Sequence, residues 1–445
     1  MNVAVIKTKV EQAIGEGFEA VVDRLPGGPA VAGVRKAAMG RFASLGLPHR
    51  RIEEWKYTDL KNSLKEVAPP AVGDDTRVTI ADVIVALGPF ARLEVPRIVL
   101  VNGSYRRDLS NLDGIGAIEV RTLAAALAEA PDKVAEGLAE IGGQDQDAVL
   151  ALNTAYMTDG VLLRVGEGKS AETPLLIVNV RAGSEPRFAA VRNILNIAKG
   201  ASASVVELFV SVPGSTPEGQ VNTATEITLG EGARLDHVKC VSDEGRVTHL
   251  ASLLLEVGAE ADYRGFQMTG GVGLARNQGF VNFRGEGARM DLSGAFLARG
   301  SEHVDTTLVI DHAVGACESR ELFKGVLDDE ARGVFQGKVI VRPDAQKTDG
   351  KQMAQALMLS EAAEFDSKPE LEIYADDVVC GHGTTAAELD EDLMFYLRAR
   401  GIPKEEARAL LIESFIGEAI DKVEGEAVHD ALMGLARNWL RAMGR

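Results

Sequence analysis

The chain has 445 residues, 46% hydrophobic and 26% charged, with 48 Lys and Arg against 66 Asp and Glu for a net charge of −18. That length buries a large core and suits two or three structural units, while the acidic balance argues against a nucleic-acid or anionic-membrane surface. Three cysteines exclude a disulfide framework and fit a reducing cytoplasm, Met1–Lys7 shows no signal-peptide core, and no apolar run approaches the roughly 20 residues of a membrane span.

Residues from about 3 to 46 read as two helices. Val5, Val10, Ile14, Phe18 and Val21 form an apolar stripe that breaks at Pro26-Gly27-Gly28-Pro29. A second helix runs from Val31 to Leu45 and stops at Gly46 and Pro48. Arg50 to Leu60 reads as an exposed, charged helix end with Trp55 and Tyr57 as packing anchors. Pro69 to Gly73 is loop, and residues 78–120 are mixed, with a strand at Arg97–Val101 and a turn at Asn102-Gly103. Residues 122–140 look helical. Ala148 to Tyr156 is a short helix leading into a strand at Val161–Val165.

From about Val161 to Ile373 strands follow one another across short Gly-rich turns. A small motif recurs at Gly200-Ala201, Gly232-Ala233, Gly258-Ala259 and Gly287-Ala288, each leading into an alternating strand such as Leu235–Val241. Self-similarity near one coil in length is the mark of a stacked β-solenoid. Ordinary antiparallel hairpins are the alternative, and the near absence of Asn-Gly and Asp-Gly turns disfavours them. Past Tyr374 the period becomes helical. Thr385 and Glu388 have capping-box spacing, Leu389 to Leu397 follow, Pro403 opens a helix to Val423, and Val428 to Leu440 line a last one. The 403–424 helix carries more apolar surface than one contact uses, so a partner surface competes with simple bundle packing.

The candidate sites are few. Gly166–Ser170 contains Gly-Lys-Ser, but the first glycine of a phosphate loop is missing and a strand follows, so nucleotide binding is rejected. Asp328-Asp329 and Asp376-Asp377 could serve a β-helix carbohydrate-active enzyme, against which stands the scarcity of Trp and Tyr. Cys380-Gly381-His382-Gly383 joins the last strand-like segment to the first C-terminal helix, with two glycines leaving both side chains exposed. Thiolate and imidazole suit zinc, copper or iron, yet two ligands do not close a site, and a buried Cys beside a loop His is the plain alternative. Cys240 with His237, and Cys317 with His312, are weaker pairs.

Cys380-Gly381-His382-Gly383-Thr384-Thr385, Leu389-Asp390 and Phe395 to Ile402 resemble the C-terminal signature of the SufB/SufD family of iron–sulfur cluster assembly proteins. Arg51 to Thr58 is similar to the N-terminal motif of its SufD branch, and Asn153-Thr154-Ala155-Tyr156 through Asp159-Gly160 also looks family-like. The resemblance implies a mainly β fold: a right-handed parallel β-helix core (161–375) flanked by helical domains at the N-terminus (1–160) and C-terminus (376–445). It implies a non-catalytic subunit that pairs with SufB, docks the ATP-binding SufC ATPase, aids iron entry and cluster formation at the SufB–SufD interface and can form a homodimer when alone. Cys380 and His382 match the pair at the SufB–SufD interface, where a metal site shared transiently with the partner is expected. The C-terminal helices, with Phe395, Tyr396, Arg400, Leu411 and Phe415, would dock SufC. No cofactor is expected on this chain alone, the iron–sulfur cluster being transient in the complex. A SufB-type scaffold holding the cluster itself is the alternative, which more than three cysteines would favour.

Overall fold

The computed structural model describes residues 7–73, 76–138 and 146–443; Val5 and the end of the 122–140 segment lie outside them. Helix α1 (Lys9–Val21) starts from a capping box in which Thr8 and Glu11 exchange side-chain-to-backbone bonds. Helix α2 (Gly28–Leu45) has Pro29 in its first turn. Then come α3 (Leu60–Ser63), α4 (Ile80–Leu87), strands β1 (Arg97–Val101), β2 (Ser104–Tyr105) and β3 (Ile118–Thr122), and helices α5 (Leu123–Glu129), α6 (Pro131–Gly137) and α7 (Ala148–Tyr156).

The chain then winds through β4 (Val161–Val165), β5 (Leu175–Arg181), β6 (Phe188–Ile197), β7 (Ser202–Ser211), β8 (Glu218–Leu229), β9 (Arg234–Val257), β10 (Asp262–Phe283), β11 (Arg289–Ala298), β12 (His303–His312), β13 (Glu318–Leu327), β14 (Arg332–Val341), β15 (Asp349–Met358), β16 (Glu364–Ile373) and β17 (Val379–Ala387). All pairings from coil to coil are parallel. One sheet runs β5, β7, β9, β10, β11, β13, β15, β17. The other runs β4, β6, β8, β9, β10, β12, β14, β16. Strands β9 and β10 serve both, with β10 irregular between Gly270 and Leu274. This is the expected solenoid, about eight coils deep. At about 4.8 Å per strand the stack is roughly 34 Å long.

The recurring Gly-Ala is a coil corner. Gly200, Gly232 and Gly287 have φ of 64°, 63° and 71°, and Ala201, Ala233 and Ala288 after them are sealed in the interior. In the third copy the corner is Glu260-Ala261, two residues past the expected Gly258-Ala259: Glu260 carries φ 53° and Ala261 is buried. Gly258 is small for a different reason, since a Cβ there would lie 2.6 Å from the Leu229 carbonyl oxygen. Ala316-Cys317 and Lys347-Thr348 continue the series. A spine of bonds explains why even non-glycines hold this strained φ. The N–H of Gly200 donates to Glu231, Gly232 to Ala259, Glu260 to Glu286, Ala316 to Gln346 and Lys347 to Asp377, each reaching the next coil.

Charge alternates on the outside of the first sheet. Arg234, Asp262, Arg289 and Glu318 lie abreast, and Asp236, Arg264, Asp291 and Arg320 lie abreast two residues further on. A shifted coil would set like charges together, so this pattern holds the register. Helices α9 (Lys404–Ile420) and α10 (Glu426–Met443) cover this face and bury Ile412, Ile416, Ala419, Ile420 and Leu432 against Val238, Phe266, Leu297 and Val326. Glu424, between them, pairs with Arg234 and Arg264.

The N-terminal helices cover the other sheet. Asn153 donates to the carbonyls of Val191 and Asn222, and the Tyr156 hydroxyl to that of Ile14. The segment expected as an exposed helix end is a single short turn, Glu53–Trp55, clamped to the second sheet. Trp55 is only 5% exposed. The guanidinium of Arg276 lies 3.8 Å from its ring centroid, pairs with Asp305 at 2.5 Å and donates to the Glu54 carbonyl at 2.7 Å.

Candidate functional site at the open end of the solenoid

The two ends of the stack differ. At the first coil β1 adds parallel to β5 and β3 adds antiparallel to β4. At the last, β16 pairs with β14 and β17 with β15, and no described strand lies beyond either. Ile373, Tyr374 and Val379 are exposed there. An uncovered edge next to apolar surface is a pairing site for another chain.

Cys380 and His382 lie on β17 itself, which corrects the expectation of a loop between strand and helix. Thr385 is still strand, so the expected capping box with Glu388 does not form. Helix α8 (Glu391–Ala399) starts later, capped by the Asp390 carboxylate, which accepts from the N–H groups of Asp392 and Leu393 at 2.9 Å. Exposure of His382 comes from the strand's terminal position, with no further coil above it, and not from the flanking glycines. Cys380 is half-buried and His382 exposed.

Residues two apart on a strand share a face, and parallel register carries that face from coil to coil. Cys380 aligns with Gly350 and then Ser319, and His382 with Gln352 and then Glu321. All face inward. A Cβ on Gly350 would lie 3.6 Å from the Cys380 Sγ and 3.4 Å from the Ser319 Oγ, so the glycine leaves an opening between thiol and hydroxyl. Ser319 in turn lies 3.2 Å from His312 Nε2. Burial pushes the Cys380 thiol above its ordinary range. Glu321 and Gln352 are each 3% exposed; the Gln352 amide has no hydrogen-bond partner among the described residues, and Ser319 on the same strand is the nearest polar partner of the Glu321 carboxyl. The sequence reading passed over both. Counting back two coils from His382 at fixed strand parity would have found them, but only once the register was known.

The described residues contain no group of three or more His, Cys, Asp and Glu that could hold a metal. Cys380 and His382 therefore supply two donors to any ion there, short of a closed set of four. The other cysteines are structural. Cys240 is buried under α9 and α10, its thiol pushed up to about 12 by burial, and His237 points the opposite way to meet Glu207 at 2.7 Å. Cys317 fills the small corner position taken by alanine in earlier coils. Asp329 sits at a corner with φ 54°, and Asp377 pairs with Lys347 in an exposed turn, so neither acid pair forms a cleft.

The residues expected on a partner surface divide. Phe395 and Tyr396 on α8 are 75% and 53% exposed, with the Arg400 guanidinium 4.9 Å from the Tyr396 ring centroid. Leu411 is half-buried. Phe415 turns inward, under the buried ammonium of Lys324 4.4 Å from its ring centroid. Among the described residues no helix is long and apolar enough to cross a membrane.

Comparison with known proteins agrees with this architecture. Residues 179–415 match the family model described as SUF system FeS cluster assembly, SufBD core domain, and residues 26–177 match the SufBD protein N-terminal region. An iron–sulfur cluster assembly SufBD family protein of Synechocystis is 31% identical over 401 residues, covering 87% of this chain and 86% of the relative. The iron–sulfur cluster assembly protein SufD of Escherichia coli is 30% identical over 401 residues, covering 87% and 88%. SufD of Bacillus subtilis is 28% identical over 300 residues, covering 65% and 66%.

Proposed function

The chain belongs to the SufBD family of iron–sulfur cluster assembly proteins, and we propose that it is the SufD-type, non-catalytic subunit of the assembly scaffold. It pairs with SufB through the open end of its solenoid and docks the SufC ATPase through its C-terminal helices, in the cytoplasm. Iron and sulfur are cargo at this interface, with ATP bound by SufC. The observation that carries the reading is the terminal strand β17, which presents Cys380 and His382 at an unpaired edge. Two donors here and further donors from a sister chain make a site that neither completes alone. A neutral imidazole ligates iron or passes protons at neutral pH. Cys240 and Cys317 are sealed in the monomer, which supports this reading over a SufB-type scaffold that carries the cluster by itself.

The test is reconstitution with SufB and SufC under anaerobic conditions. His382→Ala is expected to keep the fold and the complex and to lower cluster formation severalfold by visible absorbance. An unchanged yield removes His382 from the mechanism.

A further inference from the structure

Midway along the solenoid the interior turns polar. Glu207, Lys239 and Gln267 stand abreast on consecutive coils of the first sheet and point inward, with Thr223 and Thr225 across from them on the second. Most of this belt is satisfied within itself. The Glu207 carboxylate accepts from Asn193 at 2.8 Å and from Thr225 at 3.0 Å, and it meets His237 Nε2 at 2.7 Å. His237 Nδ1 lies 2.9 Å from the Tyr263 hydroxyl, which has room because residue 265 is glycine: a Cβ there would lie 3.0 Å from that oxygen.

Three groups in the belt are left over. Gln267 Oε1 and Thr223 Oγ1 are buried without a hydrogen-bond partner among the described residues, on side chains 8% and 2% exposed. Lys239 has several N–H groups to give, and among the described residues it meets one acceptor, Asn277 Oδ1 at 2.7 Å, with the Phe209 ring centroid 5.4 Å away. All three residues line one cavity of about 20 Å³. A single water needs roughly 10–15 Å³, so the space admits one and excludes a metabolite. The cavity is shut off from the open end of the stack. Phe323, two coils on in the same column as Gln267, lays its ring against Gly294, where a Cβ would lie 2.5 Å from the Phe323 Cε1, and packs 5.1 Å from Phe335.

We propose that this cavity is a built site for one ordered water, which accepts from Lys239 Nζ and from the Thr223 hydroxyl and donates to Gln267 Oε1. Three bonds are the ordinary complement of a buried water, and they satisfy groups that an interior does not leave unpaired. The site holds whether the amine is charged or neutral, since an N–H beyond the one given to Asn277 remains in either form. The water braces the first sheet to the second at mid-height, a task that hydrocarbon performs in the neighbouring coils. It is independent of the role given to Cys380 and His382.

The test is a crystal structure of the full-length chain at a resolution that shows ordered water, together with thermal unfolding of variants. Density for one water within hydrogen-bond distance of Lys239 Nζ, Gln267 Oε1 and Thr223 Oγ1 is the expected result. An empty cavity, or Lys239 bonded directly to Gln267 or Thr223, overturns the site. Thr223→Val, which keeps the shape and removes the hydroxyl, and Gln267→Leu are each expected to lower the Tm. Their double variant should fall short of the sum of the two losses, because both act on the same water. Strictly additive losses overturn the shared site. If the variants fail to fold, the wild-type density decides.

Discussion

At the scale of single residues, the last coils trade stability for chemistry. Glu321 occupies an inward position that Leu292 fills with hydrocarbon one coil earlier. Its acid, pushed up to about 8 by burial, binds a proton that the unfolded chain releases near pH 4.3. A raised folded-state value means that its contribution is fully present below about pH 4.3 and is lost as pH rises through about 8. Glu321→Gln removes that titration. Between pH 6 and pH 9 the wild type should therefore lose about 3 kcal/mol more stability than the variant. Thermal unfolding across that window checks this, and parallel curves would show that the acid is already ionised in the fold. His312 acts at the acid end. Burial holds it down at about 4, so the stability it contributes is present above pH 6.5 and is lost as pH falls towards 4.

At the scale of elements, the C-terminal helices split into a fastened pair and a free one. Helix α9 is fixed to the sheet by Ile412, Ile416 and Ile420 and by the ion pair of Glu418 with the buried Lys324. Helix α8 has no buried residue, yet it carries Leu393, Phe395 and Tyr396 at high exposure. A helix that keeps its apolar side chains in water is suited to meet a partner. Phe395→Asp with Tyr396→Asp is expected to abolish SufC capture in a pull-down and leave the Tm within about 1 °C of wild type, since exposed sites change stability by at most about 0.5 kcal/mol. Phe415→Asp should do the reverse, costing about 3 kcal/mol by placing a charge under the packed helix. Equal SufC capture by the α8 double variant would place docking elsewhere.

At the scale of the whole molecule, the solenoid is closed at one end and open at the other. Capping by β1 and β3 leaves the first coil no edge to offer. The open end combines an unpaired strand with Ile373, Tyr374 and Val379. Tyr374→Asp with Val379→Lys is expected to weaken pairing with SufB at least tenfold, about 1.4 kcal/mol, as read by sedimentation of the mixture. The same variant should lower self-association of the isolated chain. If both affinities stay as in wild type, this end is not the interface.

Periodicity alone determined much of this protein. The helices of the first 45 residues, the strand at Arg97–Val101, the helix Ala148–Tyr156 and the repeating corner are local matters of capping, apolar spacing and small residues, and these are written in neighbouring positions. The Cys380–His382 motif was also legible, because both residues lie within one short string. Tertiary structure decided the rest. The shift of the third corner to Glu260 follows from hydrogen bonds to the next coil, some 26 residues away. That the motif lies on a terminal strand depends on the stack ending there. Glu321, Gln352 and His382 come from separate coils and share a column only through parallel register, because a solenoid turns sequence distances of about 30 residues into contacts between neighbouring strands.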